Sequence, residues 1–215
     1  MRIVLMGMPG VGKGTQAARL RDALKVLHVS TGDILREAIQ AGSALGKRVR
    51  ESLDSGALVP DDLMAELITE RLSRSDASGG FILDGFPRTA EQVAILDRVL
   101  EALSVELDGV FLLSASEDEI VSRLSGRRIC PGCGEVYHVD NRPPGSAGVC
   151  NKCGSALVQR PDDTQAVILG RLEVYKNKTL PLAGTYDERG LLQEIDASGD
   201  QATVFERLRT ALGLS

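Results

Sequence analysis

Five short buried-strand candidates recur along the chain, and most of the stretches between them have helical periodicity. The candidates cover residues 3–6, 27–29, 81–83, 110–113 and 192–195, and the first four are mainly apolar. Short apolar runs without polar alternation are typical of strands that are buried on both faces of a sheet. Strands that alternate with helices predict an α/β fold, with one five-stranded parallel sheet flanked by helices.

Two stretches interrupt this alternation. Residues 30–60 have a helical pattern broken by glycines, and residues 127–160 are rich in Cys, Gly and Pro without a helical period. Ligands of open parallel sheets bind at the carboxyl ends of the strands, so we expect both insertions to stand at that edge. The remaining segments, 1–29, 61–126 and 161–215, then form a core domain.

The first strand leads into the glycine-rich segment Gly-Met-Pro-Gly-Val-Gly-Lys-Gly-Thr at residues 7–15. A strand, a glycine-rich turn and a helix form the context of a phosphate-binding loop, in which backbone N–H groups and a lysine face the anion. Lys13 supplies the positive charge. The usual Ser or Thr after the lysine is replaced by Gly14, and the hydroxyl comes one place later, at Thr15. The alternative is a plain glycine-rich turn.

Polar side chains follow the second and third strands. Thr31 is a candidate helix N-cap or, together with Arg36, a contact for a second ligand. Asp84 ends the third strand, where a carboxylate suits the organisation of magnesium and its waters. Arg88 follows on a turn and is free to bind phosphate. Gln92 fits either a capping box or a ligand contact.

Four cysteines form two close pairs, Cys130 with Cys133 and Cys150 with Cys153, and 16 residues lie between the pairs. This spacing is typical of a four-cysteine zinc site, whose closed tetrahedron makes the metal structural. A redox dithiol and inert buried thiols are the alternatives. His138 is a fifth possible ligand, although four thiolates already complete the tetrahedron.

Basic residues stand on both sides of the cysteine segment. Arg123 and Arg127 are four residues apart, which predicts that they share one helical face. They fit either a ligand site or an ordinary solvated basic face. Pro161 and the acids after it predict a helix start, and that helix carries Arg171.

The composition excludes several classes of protein. The chain has 215 residues, of which 43% are hydrophobic and 26% charged, and this is ordinary for a globular domain. A net charge of −5 and an aromatic content of 3% argue against a nucleic-acid-binding surface. No apolar run approaches the ~20 residues of a membrane span. We find no signal-peptide pattern at the N-terminus, so a cytoplasmic protein is expected.

Taken together, these motifs resemble those of the adenylate kinases, in their long-lid, zinc-containing bacterial form. The resemblance covers nearly the whole chain, with its strongest motifs at 7–16, 30–36, 84–92, 126–128 and 159–163. It implies the P-loop nucleoside monophosphate kinase fold, with an AMP-binding helical insertion at 30–60 and a zinc-containing lid at 127–160. The implied reaction is MgATP + AMP ⇌ 2 ADP, carried out by a monomer with Mg2+ and a structural Zn2+.

The resemblance also assigns residues to ligands. ATP would be held by Gly10, Val11, Gly12, Lys13, Gly14, Thr15, Arg127, Val136, Tyr137 and the backbone near Gly199. AMP would be held by Thr31, Arg36, Ala57, Leu58, Val59, Gly85, Phe86, Pro87, Arg88, Gln92, Arg160 and Arg171. The residues implied to act on the transferring phosphoryl group are Lys13, Asp84, Arg88, Arg123, Arg160 and Arg171.

Two other functions fit part of the pattern. One is a kinase of another monophosphate, such as UMP or CMP, or a relative that uses GTP. Gln92 favours adenine, because its amide offers one donor and one acceptor to the edge of that base. The other is a nucleotide-dependent binding protein that uses a zinc ribbon, which the acidic balance and the few aromatic residues disfavour.

Overall fold

The computed structural model of the chain describes residues 1–214. In chain order its strands and helices are β1 (Arg2–Gly7), α1 (Lys13–Leu24), β2 (Leu27–Ser30), α2 (Thr31–Gln40), α3 (Ala44–Ser55), α4 (Asp61–Leu72), β3 (Phe81–Asp84), α5 (Ala90–Ala102), β4 (Gly109–Ser114), α6 (Glu117–Ser125), β5 (Arg127–Ile129), β6 (Val136–His138), α7 (Gln165–Val174), α8 (Leu182–Glu188), β7 (Leu192–Asp196) and α9 (Gln201–Ala211).

All five predicted strands are present and form one sheet. Its order is β2-β3-β1-β4-β7, and every neighbouring pair is parallel. The prediction of a parallel five-stranded α/β fold is therefore confirmed. The loops after β1 and β3 leave the sheet side by side at its carboxyl edge, which is where open parallel sheets bind ligands.

A hydrophobic core lies on each face of the sheet. Within β1, Val4 and Met6 point into one core, while Ile3 and Leu5 point into the other. Helices α4, α5 and α8 cover the first face, and α1, α6, α7 and α9 cover the second. Because both faces are covered, the central strands β1, β3 and β4 are apolar at most positions and show no polar alternation.

The first insertion is a pair of helices, α2 and α3. Helix α2 is capped by Ser30, whose Oγ accepts the N–H of Asp33 at 3.3 Å. The prediction that Thr31 caps this helix is wrong, since Thr31 is the first residue of the helix. Its hydroxyl donates instead to the carbonyl of Gly85 at 3.0 Å, which ties α2 to the end of β3.

The second insertion contains the short antiparallel pair β5 and β6, in which Arg127 lies opposite His138. Helix α6 ends at Ser125, so Arg127 belongs to a strand. The predicted common helical face of Arg123 and Arg127 is therefore wrong. A spacing of four residues indicates a shared face only while the helix continues, and the chain turns into the strand between them.

The helix predicted from Pro161 begins later than expected. Residues Pro161–Asp163 form a single 3-10 turn, and α7 starts at Gln165. The side chains of Asp162 and Asp163 are buried against arginines, so these acids serve ion pairs and not the start of α7. After α7 the chain passes through a π-helical turn, Tyr175–Thr179, that the sequence pattern did not indicate.

Within residues 1–214, none of the helices has both the length and the apolar character that crossing a bilayer requires.

Candidate active site

The glycine-rich loop presents the free N-terminus of α1. Gly12 has a positive φ of 109° and no side chain caps the helix, whereas Ser, Thr or Asp side chains cap α2, α3, α5, α6 and α9. The first-turn N–H groups of α1 are thus left to a ligand, and they carry the positive end of the helix dipole. Such an N-terminus suits a phosphate group.

Lys13 folds back over this loop. Its Nζ donates to the carbonyls of Gly7 at 2.8 Å and Met8 at 2.9 Å. Burial lowers the pKa of Lys13 from 10.5 to about 8, although the carboxylate of Asp84 opposes the shift. The negative charge of Asp84 therefore does not fully compensate the buried ammonium group of Lys13. An anionic ligand would supply the missing negative charge.

The structure explains why glycine occupies position 14. A Cβ atom at Gly14 would lie 3.2 Å from Oδ2 of Asp84, so a side chain here would press against the carboxylate unless it shifted by a few tenths of an ångström. Asp84 thus stands at the start of α1, next to the loop that suits a phosphate group.

His28 also contacts this carboxylate. It lies on β2 with its Nε2 3.6 Å from Oδ2 of Asp84, and this buried nitrogen has no hydrogen-bond partner among the described residues. The register pairs Ser30 with Asp84, so His28 projects from the same face of the sheet two residues before that pair. Sequence spacing alone gives no sign of such a diagonal contact between strands.

A cleft opens between the helical insertion and the end of β3. Nine of the residues assigned to a nucleoside monophosphate line it, namely Thr31, Arg36, Ala57, Leu58, Val59, Gly85, Arg88, Gln92 and Arg171. Phe86 is buried in the hydrophobic core, and neither it nor Pro87 or Arg160 lines the cleft. The apolar wall and the arginines at one end suit a ligand with a flat base and a phosphate.

Carboxylates hold the arginines at the mouth of the cleft. Asp33 accepts a hydrogen bond from Arg36 at 2.5 Å and lies 3.8 Å from Arg160. Burial alone would raise the pKa of Asp33, but Arg36 outweighs it and holds the pKa below its usual value. Asp33 thus links the helical insertion to the far end of the cysteine-containing segment.

A second group of ion pairs lies deeper. Arg127 donates to both carboxylate oxygens of the fully buried Asp163, at 2.8 and 2.5 Å. Arg171 donates to Asp162 at 2.8 Å and lies 3.8 Å from Asp163. Burial lowers the pKa of Arg171, since the guanidinium has lost much of its water.

Arg88 and Arg160 lie near the same group. Burial, followed by repulsion from Arg171, lowers the pKa of Arg88 to about 10. Burial and repulsion from Arg36 lower the pKa of Arg160, also to about 10. The neighbouring carboxylates thus offset only part of the repulsion among these arginines. A bound polyanion would relieve the rest.

Arg123 lies on the other side of the glycine-rich loop. Its guanidinium donates to the carbonyls of Val11 at 3.0 Å, Ala197 at 2.9 Å and Gly199 at 3.2 Å, and to Glu119 at 2.5 Å. These contacts bring the segment near Gly199 beside the loop. One of these contacts uses Nη1 and the other three use Nη2, so this side chain braces the loop against the segment near Gly199.

The four cysteines converge in the second insertion. All four sulfurs lie within 4.8 Å of one another, with Cys130 and Cys153 at 3.3 Å and Cys133 and Cys150 at 3.6 Å. Four sulfurs at the usual Zn–S length stand about 3.8 Å apart in a tetrahedron. The donors therefore fit a tetrahedral thiophilic metal ion.

The thiols cannot all ionise unaided. A hydrogen bond from the Tyr137 hydroxyl lowers the pKa of Cys150 to about 6. A backbone bond at Glu135 favours the thiolate of Cys133 too, but burial and the three neighbouring thiols outweigh it and raise its pKa to about 12. A divalent cation would remove this conflict, because it favours the thiolate form at every position.

The remaining residues assigned to this insertion lie on β6. The Tyr137 side chain is buried beside the cysteines, so the backbone of this residue is the part left for a nucleotide, while Val136 is half-buried. His138 is not part of the cysteine cluster. Its Nδ1 accepts the N–H groups of Asp140 and Asn141, and its Nε2 lies 3.1 Å from the carbonyl of Ser122 on α6.

Comparison with known proteins gives a consistent result. The family model for adenylate kinase matches residues 5–191. The chain belongs to the adenylate kinase family. An adenylate kinase of Desulfitobacterium hafniense (strain DSM 10664 / DCB-2) is 48% identical over 212 residues, which cover 99% of this chain and 98% of that protein. Adenylate kinases of Caldicellulosiruptor bescii and Moorella thermoacetica are 45% identical over 214 residues and 46% identical over 213 residues, and each match covers at least 98% of both chains.

Membership in the adenylate kinase family makes the chain an enzyme of the nucleoside monophosphate kinase class. The geometry agrees with this class because it places two phosphate sites next to each other. The glycine-rich loop, which suits an outer phosphate, and the cleft, which suits a monophosphate, are separated only by the arginine group. A nucleoside monophosphate kinase requires this arrangement, because donor and acceptor phosphates must meet in line.

The uncapped start of α1 and the lowered pKa of Lys13 give a measurable consequence. At pH 9 most of the Lys13 side chains are neutral without a ligand, and a bound polyphosphate should restore the charge by raising the pKa again. We therefore expect ATP binding at this pH to take up close to one proton, with less uptake at pH 7, where the lysine is already charged. Calorimetric titrations in buffers of different ionisation enthalpy measure this number.

Lys13→Met is the matched control and should abolish the uptake. Equal proton uptake by the wild type and Lys13→Met would contradict the assignment of the proton to this lysine.

Proposed function

We propose that this member of the family transfers a phosphoryl group reversibly from MgATP to AMP and forms two ADP. The observation that carries the proposal is the cleft lined by Thr31, Arg36, Arg88 and Gln92, which ends at the arginine group beside the glycine-rich loop. A base in the cleft would direct its phosphate toward the phosphates held on the loop. The relatives named as adenylate kinases support the same reaction.

The chain's own residues act by alignment and charge. The N-terminus of α1 and Lys13 hold the outer phosphates of the donor, and Arg36 and Arg88 hold the phosphate of the acceptor. Arg160 and Arg171, at the boundary, stabilise the charge that spreads over the transferring group. The acceptor oxygen is already anionic, so the protein supplies no general base.

The residues also fit the two metals that we assign. The carboxylate oxygens of Asp84 would coordinate Mg2+ or accept hydrogen bonds from its waters. When bound, magnesium would neutralise part of the phosphate charge. Cys130, Cys133, Cys150 and Cys153 hold a structural Zn2+, away from the reacting atoms. The metal orders the 127–160 insertion, which has a small apolar core made of Tyr137, the two buried cysteines and Leu157.

We further propose that residues 30–60 act as the AMP-binding unit and residues 127–160 as a lid over ATP, both on the core formed by 1–29, 61–126 and 161–215. Arg127, Val136, Tyr137 and the backbone near Gly199 complete the ATP site. Closure of the two units would exclude water, which otherwise competes with AMP for the phosphoryl group. The protein works as a monomer in the cytoplasm, without nucleic acid or membrane partners.

Turnover with ATP and each of AMP, UMP, CMP and GMP tests the reaction, and GTP replaces ATP in a parallel series. We expect AMP to be the preferred acceptor and Lys13→Met to lower kcat by at least about a hundredfold, because charge facing the transferring phosphate is lost. The melting temperature and far-ultraviolet spectrum of the variant serve as folding controls. A folded Lys13→Met protein with near-normal kcat, or a preference for another monophosphate, would refute the proposal.

Gln92→Leu tests the recognition of adenine. We expect a loss of about 1–3 kcal/mol in AMP binding, roughly 5- to 150-fold in KM, because the base edge loses its hydrogen bonds. The KM for ATP should hardly change. Reduced stability with an unchanged KM for AMP would show that Gln92 serves only the start of α5.

Removal of the metal tests the role of the second insertion. Chelation, or Cys153→Ser, should lower the melting temperature and increase hydrogen exchange within 127–160, because metal binding contributes to the folding free energy of that segment. Part of the activity should persist at low temperature. Added zinc should restore the chelated wild type but not Cys153→Ser. Complete loss of activity with unchanged exchange in 127–160 would contradict a structural role.

A further inference from the structure

Gln92, at the wall of the cleft, has both ends of its side-chain amide in hydrogen bonds. Its Oε1 accepts the backbone N–H of Arg88 at 2.8 Å, and its Nε2 donates to Oδ1 of Asp61 at 2.7 Å. Only 2% of the residue is exposed. Asp61 is the first residue of α4 and follows the cleft residue Val59 by two positions.

These partners determine which way the amide faces. An ionised carboxylate only accepts hydrogen bonds, and a backbone N–H only donates them. If the amide of Gln92 flipped, its oxygen would face Asp61 and its NH2 group would face the N–H of Arg88. Both contacts would become repulsive, and two buried polar groups would lose their partners.

Thr89 fixes the carboxylate in turn. Its Oγ accepts the backbone N–H of Gln92 at 3.1 Å, so its hydroxyl hydrogen is free to donate to Asp61, whose oxygens lie 3.2 and 3.3 Å away. Asp61 thus receives hydrogen bonds from two side chains that belong to the start of α5. It is held in place independently of any ligand.

The amide keeps one N–H and one oxygen lone pair that these partners do not use. These two groups form a donor and an acceptor side by side. The orientation of the amide determines which position of a base edge faces the donor and which faces the acceptor. Adenine presents an amino donor beside a ring-nitrogen acceptor, which this pair can match. A 6-oxopurine presents the reverse order, a carbonyl acceptor beside an N–H donor, and matches only the flipped amide.

We propose that Asp61 is a specificity-determining residue, which locks the amide of Gln92 in the orientation that accepts a 6-aminopurine and rejects a 6-oxopurine. It touches neither the nucleotide nor the reacting atoms and acts through Gln92 as a positioning residue. The inference rests on the proposed use of AMP and adds the residue that sets the choice of purine.

Asp61→Asn and Asp61→Ala test the lock. Asparagine keeps the shape but can donate as well as accept, so it tolerates either orientation of Gln92, and alanine removes the partner. The neighbouring Asp62→Asn is the matched control, because Asp62 has the same charge in the same first turn of α4 but is exposed. The dissociation constants of AMP and IMP are measured by calorimetry, and kcat and KM are measured for both acceptors with ATP.

In both Asp61 variants we expect the preference for AMP over IMP to fall by about tenfold, as one orienting hydrogen bond is lost. The change should come from weaker AMP binding together with stronger relative binding of IMP, and the KM for ATP should stay constant. Asp62→Asn should retain the wild-type preference. The melting temperature of each variant is recorded, since a loss of stability alone would weaken the binding of both monophosphates alike.

An unchanged ratio of AMP to IMP affinity in folded Asp61 variants would overturn the inference, whatever happens to overall activity. A wild type that does not phosphorylate AMP would instead refute the proposed function. The two failures are distinguishable, because the wild-type assay decides the second before any variant is compared.

Discussion

The main physical constraint on this structure is that several positively charged side chains lie close together at the carboxyl edge of the sheet. The half-buried side chains of Lys13, Arg88, Arg160 and Arg171 lie there, and loss of water together with mutual repulsion lowers their pKa values. Such a group is stable only if counter-charges are close by. Backbone carbonyls at Lys13 and the carboxylates of Asp33, Asp162 and Asp163 at the arginines fill this role. In our account, phosphate binding exchanges these partners for phosphate oxygens, and the added negative charge relieves the repulsion that the carboxylates leave.

The sheet makes this concentration of charge possible. Because neighbouring strands are parallel, the loop after β1 and the carboxylate at the end of β3 arise at the same edge. Gly14 lets Asp84 approach the start of α1, and His28 lies against the same carboxylate from β2. The two hydrophobic cores hold these strand ends rigidly, so that a small number of side chains on short loops are positioned for catalysis.

The sequence was sufficient to predict the strands, the glycine-rich loop and the cysteine cluster, because each depends on local spacing. It did not reveal the partners of the arginines. Asp163 pairs with Arg127 across 36 residues, and Asp61 meets Gln92 across 31 residues, and neither separation has a periodic signature. The errors at Thr31 and at the start of α7 have the same origin, since tertiary contacts took over groups that local rules assign to helix caps.

The exchange of partners is the central claim, and a crystal structure with Mg2+ and a bisubstrate analogue, two adenosines joined by a chain of phosphates, tests it most directly. Our account predicts that Arg36 and Arg160 leave Asp33 for phosphate oxygens. It also predicts that the Nζ of Lys13 moves from the carbonyls of Gly7 and Met8 to the donor phosphates. A complex in which these side chains keep their present partners, while the phosphate chain lies elsewhere, would contradict it.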